Sequence, residues 1–171
     1  MKTLLLLRHA KSSWGDASLP DRERPLTGRG ERAALVLGGY LAQKQLVPDA
    51  ILCSPARRTR ETLRRVLAQL PAPPLPRVEE DLYLASAPAL LERVQALEPE
   101  LGAVLVLGHN PGLEELARAL AARGRETALR RFEEGLPTAG LAVIELAVDD
   151  WRAAAPDTGH LARLVRPRDL V

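Results

Sequence analysis

The sequence has one cysteine, three lysines and no hydrophobic run long enough to span a bilayer. A lone Cys53 excludes an internal disulfide and removes any reason to assign an oxidising compartment. It sits in the apolar run Asp49-Ala50-Ile51-Leu52-Cys53, where packing in a core is its expected role. The amino-terminal Leu4 to Leu7 run ends at Arg8, too short for a signal peptide or a membrane span, so a cytoplasmic location with no membrane partner is expected. Positive charge is not in surplus either: 24 Lys plus Arg face 22 Asp plus Glu, which leaves a net charge of +2 and no nucleic-acid footprint. There is no Walker A loop and no His-x-x-x-His pair, so neither a nucleotide cradle of that type nor a metal site is indicated. No internal repeat and no low-complexity tail divides the chain, and 171 residues fit a single domain, 1–171, able to bury a core without staples.

What is present is an alternation of strands and helices. Leu4 to Leu7 reads as a strand covered on both faces, and Arg8-His9 stands at its end. A polar, turn-rich segment runs through Pro25. A helix follows from Thr27 as N-cap to about Gln45, with Glu31 near its positive end. Ile51 to Cys53 form a second buried strand, and Ser54-Pro55 are expected to open the next helix as N-cap and first residue. Pro71 to Pro76 reads as a rigid connector before a strand at Arg77-Val78 and a helix from Pro88 to Leu97. Ala103 to Leu107 is the third clear buried strand, ending in Gly108-His109-Asn110-Pro111-Gly112, with a helix over Glu114 to Ala122. Leu141 to Val148 and His160 to Val165 read as two last strands, separated by a polar segment around Trp151. The pattern predicts an α/β fold, a three-layer α/β/α sandwich around a mainly parallel central sheet.

In such a sheet the carboxyl ends of parallel strands share one edge, where ligands bind. Arg8-His9, the turn from Ser54 to Arg58, and Gly108-His109 should therefore converge. Two imidazoles and at least two guanidiniums in one crevice suit phosphoryl transfer: one histidine attacks phosphorus while arginines hold the oxygens on which charge builds.

These three motifs resemble those of the histidine phosphatase superfamily, also called phosphoglycerate-mutase-like. Its Arg-His-Gly signature corresponds to Arg8-His9-Ala10, its Ser-x-x-x-Arg helix start to Ser54 through Arg58, and its Gly-His motif to Gly108-His109. Order, spacing and chain length look like the SixA-type phosphohistidine phosphatases, over Leu4 to about Leu146. The resemblance implies a phosphoglycerate-mutase-like fold and a two-step reaction without metal or other cofactor. His9 is the nucleophile, Arg8, Arg58 and His109 bind the phosphoryl group throughout, and Ser12 can donate to it from the turn. The partner is a histidine-phosphorylated protein or a small phosphate ester.

Two positions depart from the wider family. Gly15 follows Trp14 where larger members carry an asparagine phosphate donor, and the position of the glutamate acid falls on Leu84 or Ala85. Glu80 and Asp81 remain the nearby candidates for a general acid. An alkoxide leaving group needs that proton, worth about 10²- to 10⁴-fold. Imidazole, with a pKa of about 6.5, needs much less help. Loss of the acid therefore favours a phosphoamidate substrate, with a sugar or nucleotide phosphomonoesterase as the alternative and a non-catalytic phosphate binder disfavoured by the intact His9. Outside the three strand ends, Arg57 reads as a solvated neighbour, Trp14 as a pocket wall or a loop plug, Thr138 as an ordinary loop residue and His160 as structural. Arg60, Arg64 and Arg65 read as a solvated helix side.

Overall fold

A computed structural model describes residues 1–171. Its centre is β1 (Lys2–Arg8), flanked on one side by β4 (Ala103–Gly108) and on the other by β6 (Leu141–Leu146). The remaining strands are β2 (Ala50–Cys53), β3 (Arg77–Val78), β5 (Arg123–Gly124) and β7 (Gly159–Val165), in the order β3-β2-β4-β1-β6-β7-β5. Every pairing is parallel except those of β6, which runs against both β1 and β7. The sheet is thus mainly parallel, as expected, with a single reversed strand.

Strand alternation splits the leucine run of β1 between two cores. Leu4 and Leu6 join the cluster under α3 (Ala87–Gln95), α4 (Gly112–Leu120) and α5 (Glu126–Phe132), while Leu5 and Leu7 join the one under α1 (Gly28–Gln43) and α2 (Arg57–Leu67). All four are at most 1% exposed. At roughly 1.5 to 3 kcal/mol for each fully buried leucine, β1 is anchored from both sides, and the Arg8-His9 step that follows it is held in place. No helix is long and apolar enough to cross a membrane.

Thr27 caps α1 as predicted, accepting from the Gly30 amide at 3.0 Å. Gly30 is needed there because a Cβ would stand 2.2 Å from the Lys11 carbonyl oxygen, so the turn after β1 lies directly against the helix start. The second helix differs from expectation. α2 begins at Arg57 with Ala56 at the cap position, and Ser54 Oγ takes only the Ala56 amide, at 3.4 Å, ahead of the helix. The segment around Trp151 is polar, as expected, but is anchored at Trp151 itself, which is fully buried in the first core and donates to the Leu101 carbonyl at 2.8 Å. β5 and α5 were not expected. A two-residue bridge carries no periodicity, and α5 buries only Ala128 and Phe132 among charged residues.

Candidate active site

The ends of β1, β2 and β4 lie side by side, and the segments that leave them form a crevice of about 440 Å³. Arg8, His9, Arg58 and His109 all line it, as do Ser12, Trp14 and Thr138. The His9 and His109 rings are 5.4 Å apart between centroids. Thr138 is therefore more than an ordinary loop residue. Trp14 walls the mouth, 76% exposed, with the Arg24 guanidinium stacked 3.5 Å from its ring centroid.

His9 is 8% exposed, and its Nδ1 lies 2.7 Å from the Ala10 carbonyl oxygen. A carbonyl can only accept, so Nδ1 carries the proton and Nε2 keeps its lone pair in the neutral ring. Burial, with smaller contributions from Arg58, Arg8 and Arg24, pushes the imidazole down to about 4 against the opposing Ala10 bond. His9 is thus a neutral base with a free Nε2 at neutral pH. The turn behind it is pinned to α2: the Ala10 amide donates to Thr62 Oγ1 at 2.9 Å, and that hydroxyl donates to the Arg58 carbonyl at 2.7 Å.

His109, 3% exposed, is held at both nitrogens. Arg58 Nη2 stands 3.3 Å from Nδ1 and can only donate, so Nδ1 accepts and Nε2–H donates to Ser54 Oγ at 2.7 Å. This is the shorter of the two bonds of the Ser54 hydroxyl, the other being from the Ala56 amide at 3.4 Å. Burial, then Arg58 and His9, pushes His109 down to about 3. Donation from Nδ1 to a phosphoryl oxygen requires an added proton there, which a bound dianion would favour.

The two arginines are oriented from opposite walls. Arg8 Nη1 donates to the Leu136 carbonyl at 3.0 Å, and Asn110 and Glu114 fix the same residue through its carbonyl at 2.9 Å and its amide at 2.7 Å. Burial lowers the Arg8 pKa, partly offset by the charge of Glu114. Arg58 donates to the Asp21 carbonyl at 2.8 Å and to Asp21 Oδ2 at 3.0 Å. The Nε atoms of both arginines are buried without a protein partner.

Asp21 is the residue that sequence reasoning missed. Besides Arg58 its carboxylate takes Arg24 Nε at 3.1 Å and the Tyr83 hydroxyl. Burial alone would raise its pKa, but the bonds from Tyr83 and Arg58 outweigh it and hold the group down at about 2. Tyr83 in turn meets the His109 ring edge-on at 5.5 Å, and Arg24 Nη1 donates to Ser12 Oγ at 2.7 Å. The only available signal was the charged run Asp21-Arg22-Glu23-Arg24 in the loop that follows β1.

Glu80 and Asp81 do not stand in the crevice. They line a separate hollow with Glu92 and Arg93, and Glu80 is drawn outward into a two-point ion pair with Arg22. Leu84 lines the crevice at the position that corresponds to the glutamate acid of larger family members. Arg57 pairs with Glu61 at 3.5 Å and Arg65 with Glu31 at 2.8 Å, while Arg60 and Arg64 face solvent. His160 is exposed on β7, among the residues of another hollow.

Comparison with known proteins gives this geometry relatives. A family model described as histidine phosphatase superfamily (branch 1) matches residues 4–83. The chain is 36% identical over 164 residues to an uncharacterised protein of Mycobacterium tuberculosis, covering 95% of this chain and 100% of that one. Among solved structures it is similar to a candidate phosphohistidine phosphatase SixA from Agrobacterium tumefaciens, at TM-score 0.82, 27% identity and coverage of 97% and 98%. A candidate SixA from Nakamurella multipartitia matches at TM-score 0.80, with 29% identity and coverage of 97% and 96%.

Proposed function

The chain belongs to the histidine phosphatase superfamily and is a phosphatase with a catalytic histidine; from that premise we propose that it removes the phosphoryl group from phosphohistidine on a protein, with His9 as nucleophile. The observation that carries this reading is the lack of a proton-bearing carboxyl in the crevice. Asp21 is its only carboxyl group, and the bonds from Tyr83 and Arg58 keep it ionised. A phosphate ester would leave as an unprotonated alkoxide and forgo about 10²- to 10⁴-fold. A phosphohistidine ring protonated by solvent on its other nitrogen leaves as neutral imidazole and needs no enzyme acid. The open crevice, flanked by Trp14 and Leu84, suits a ring displayed on another protein's surface.

In the first step the His9 Nε2 lone pair forms an N–P bond in line with the departing ring, which takes the electrons of the old P–N bond. The Ala10 carbonyl supports the positive charge that develops on the Nδ1–H side. In the second step water forms the new O–P bond, the N–P electrons return to Nε2, and orthophosphate leaves. Arg8 and Arg58 line the crevice and supply the guanidinium donors for the equatorial oxygens. Ser12 and His109 complete the ring of contacts.

The test is hydrolysis of a histidine-phosphorylated protein domain beside an alkyl phosphate such as glycerol phosphate, whose leaving alkoxide needs a proton, for wild type and His9→Ala. Strong preference for the phosphohistidine, lost in the variant, is expected. Equal or faster ester hydrolysis would transfer the reading to a small-molecule phosphomonoesterase, and activity surviving in His9→Ala would remove His9 as nucleophile.

A further inference from the structure

Beside the catalytic crevice lies a second hollow of about 410 Å³, and Lys11 and Thr138 line both. Four segments build it: the turn after β1, the first turn of α1, the stretch from Glu134 to Thr138 before β6, and the short 3-10 turn after β7. Its lining holds four cations, Lys11, Arg29, Arg166 and Arg168, against a single carboxylate, Glu134. In a chain whose whole net charge is +2, that surplus is local.

The four cations are not equivalent. Arg166 is fixed, its Nε and Nη2 bonded to Asp169 at 2.9 and 2.8 Å and its Nη1 to Glu134 at 3.0 Å. Arg168 reaches the same Glu134 oxygen, so one carboxylate is shared by two guanidiniums. Lys11 and Arg29 are exposed and belong to none of the ion pairs of the fold. A concave wall with one oriented guanidinium and two unpaired cations concentrates positive potential where a ligand can enter. Leu136, two residues before the shared Thr138, is tied to Arg8, Asn110 and Glu114.

We infer that this hollow is a second anion subsite, which takes a carboxylate or phosphate carried by the substrate beyond the phosphoryl group that is transferred. The inference rests on the reading above only in that the His9 crevice holds the phosphoryl group. An acidic side chain near the phosphohistidine and a second phosphate on a small ester offer the same chemistry.

Calorimetric titration of the intact protein needs no turnover. Methylphosphonate is compared with alkane bisphosphonates having roughly two to six carbons between the phosphonates. At the best spacer the bisphosphonate should bind about tenfold tighter than methylphosphonate, the scale of one or two solvent-facing charge pairs joined through a short linker. In Arg29→Gln, and in Arg29→Gln with Arg168→Gln, this ratio should fall to the twofold that two equivalent ends give by statistics. The single variant alters one exposed, unpaired side chain, so its fold is not at stake. A ratio near two for every spacer in the wild type, or a tenfold ratio kept in both variants, overturns the inference. Methylphosphonate binding that is indifferent to Arg58→Gln would instead remove the phosphoryl site, and the second subsite with it. Histidine-phosphorylated peptides with Glu or Gln near the phosphohistidine then separate the sources. Faster turnover of the Glu peptides, lost in the variants, assigns an acidic protein neighbour. Equal turnover with the bisphosphonate advantage intact assigns a second phosphate.

Discussion

Acid should unfold this protein early, and through the two histidines of the crevice. Burial and the neighbouring arginines hold His9 down at about 4 and His109 at about 3, whereas histidine in an unfolded chain titrates near 6.5. Below about pH 6.5 the unfolded chain takes up protons that the folded one refuses. The contribution of each histidine is therefore intact above about 6.5 and is lost as the pH falls toward its folded value. At about 1.4 kcal/mol per unit, the fall from about 6.5 to about 4 removes roughly 3 kcal/mol for each. The two together remove roughly 6 kcal/mol, comparable to the whole stability of many domains, about 5 to 15 kcal/mol. Asp21 acts lower. With its pKa depressed to about 2, its contribution is present above about 4 and is lost only as the pH falls through about 2, and its half-exposed side chain makes that contribution small. Urea unfolding followed by circular dichroism, at steps from about pH 7.5 to 4.5, measures the slope. Wild type should lose stability more steeply than His9→Gln/His109→Gln by about 2 to 3 kcal/mol per unit between about pH 6 and 5. Parallel curves for the two proteins would refute the claim that the resting imidazoles are neutral, and with it a His9 nucleophile that stays available down to about pH 5.

Ser54→Ala removes the acceptor of His109 Nε2–H and leaves a buried donor unpaired, at a cost of about 1 to 3 kcal/mol. Turnover of the preferred substrate should drop about tenfold, and an unchanged kcat would show that this bond does not orient the ring. Gly112→Ala would set a Cβ 2.0 Å from the Ala85 carbonyl oxygen. Backbone has to move, so a loss of about 2 to 4 kcal/mol is expected by thermal melting, and a melting temperature within a degree of wild type would contradict the packing of α4 against that loop. Burial raises the Cys53 thiol to about 12, so native protein should resist iodoacetamide at about pH 8 while urea-unfolded protein reacts quickly. Fast labelling of the native state would place Cys53 outside the core.

The sequence by itself determined the layered α/β fold and the sheet edge at which the candidate site residues gather. The apolar runs Leu4 to Leu7, Ile51 to Cys53 and Ala103 to Leu107 call for burial on both faces, and these three strands run parallel with their carboxyl ends together, whereas β6, nearly as apolar, runs against them. The positions of Arg8, His9, Arg58 and His109 in one crevice follow from that register. Local signals failed where a long-range partner outbid them. Ser54 has the composition of a helix cap, yet its hydroxyl serves an imidazole 55 residues away. Glu80 looked close enough to supply a proton, but Arg22, 58 residues away, holds it in another hollow. Asp21 and Tyr83 lie 62 residues apart and carry no shared motif, so only the folding of their two loops over the strand ends brings them to Arg58 and His109. The tertiary structure likewise decided which hollows join: Lys11 belongs to the turn after β1 and Thr138 to the stretch before β6, and they become a common wall only because β1 and β6 pair antiparallel. Strand periodicity records what each face must bury, whereas the partner of a polar side chain is set by whichever group the completed sheet brings within hydrogen-bond reach.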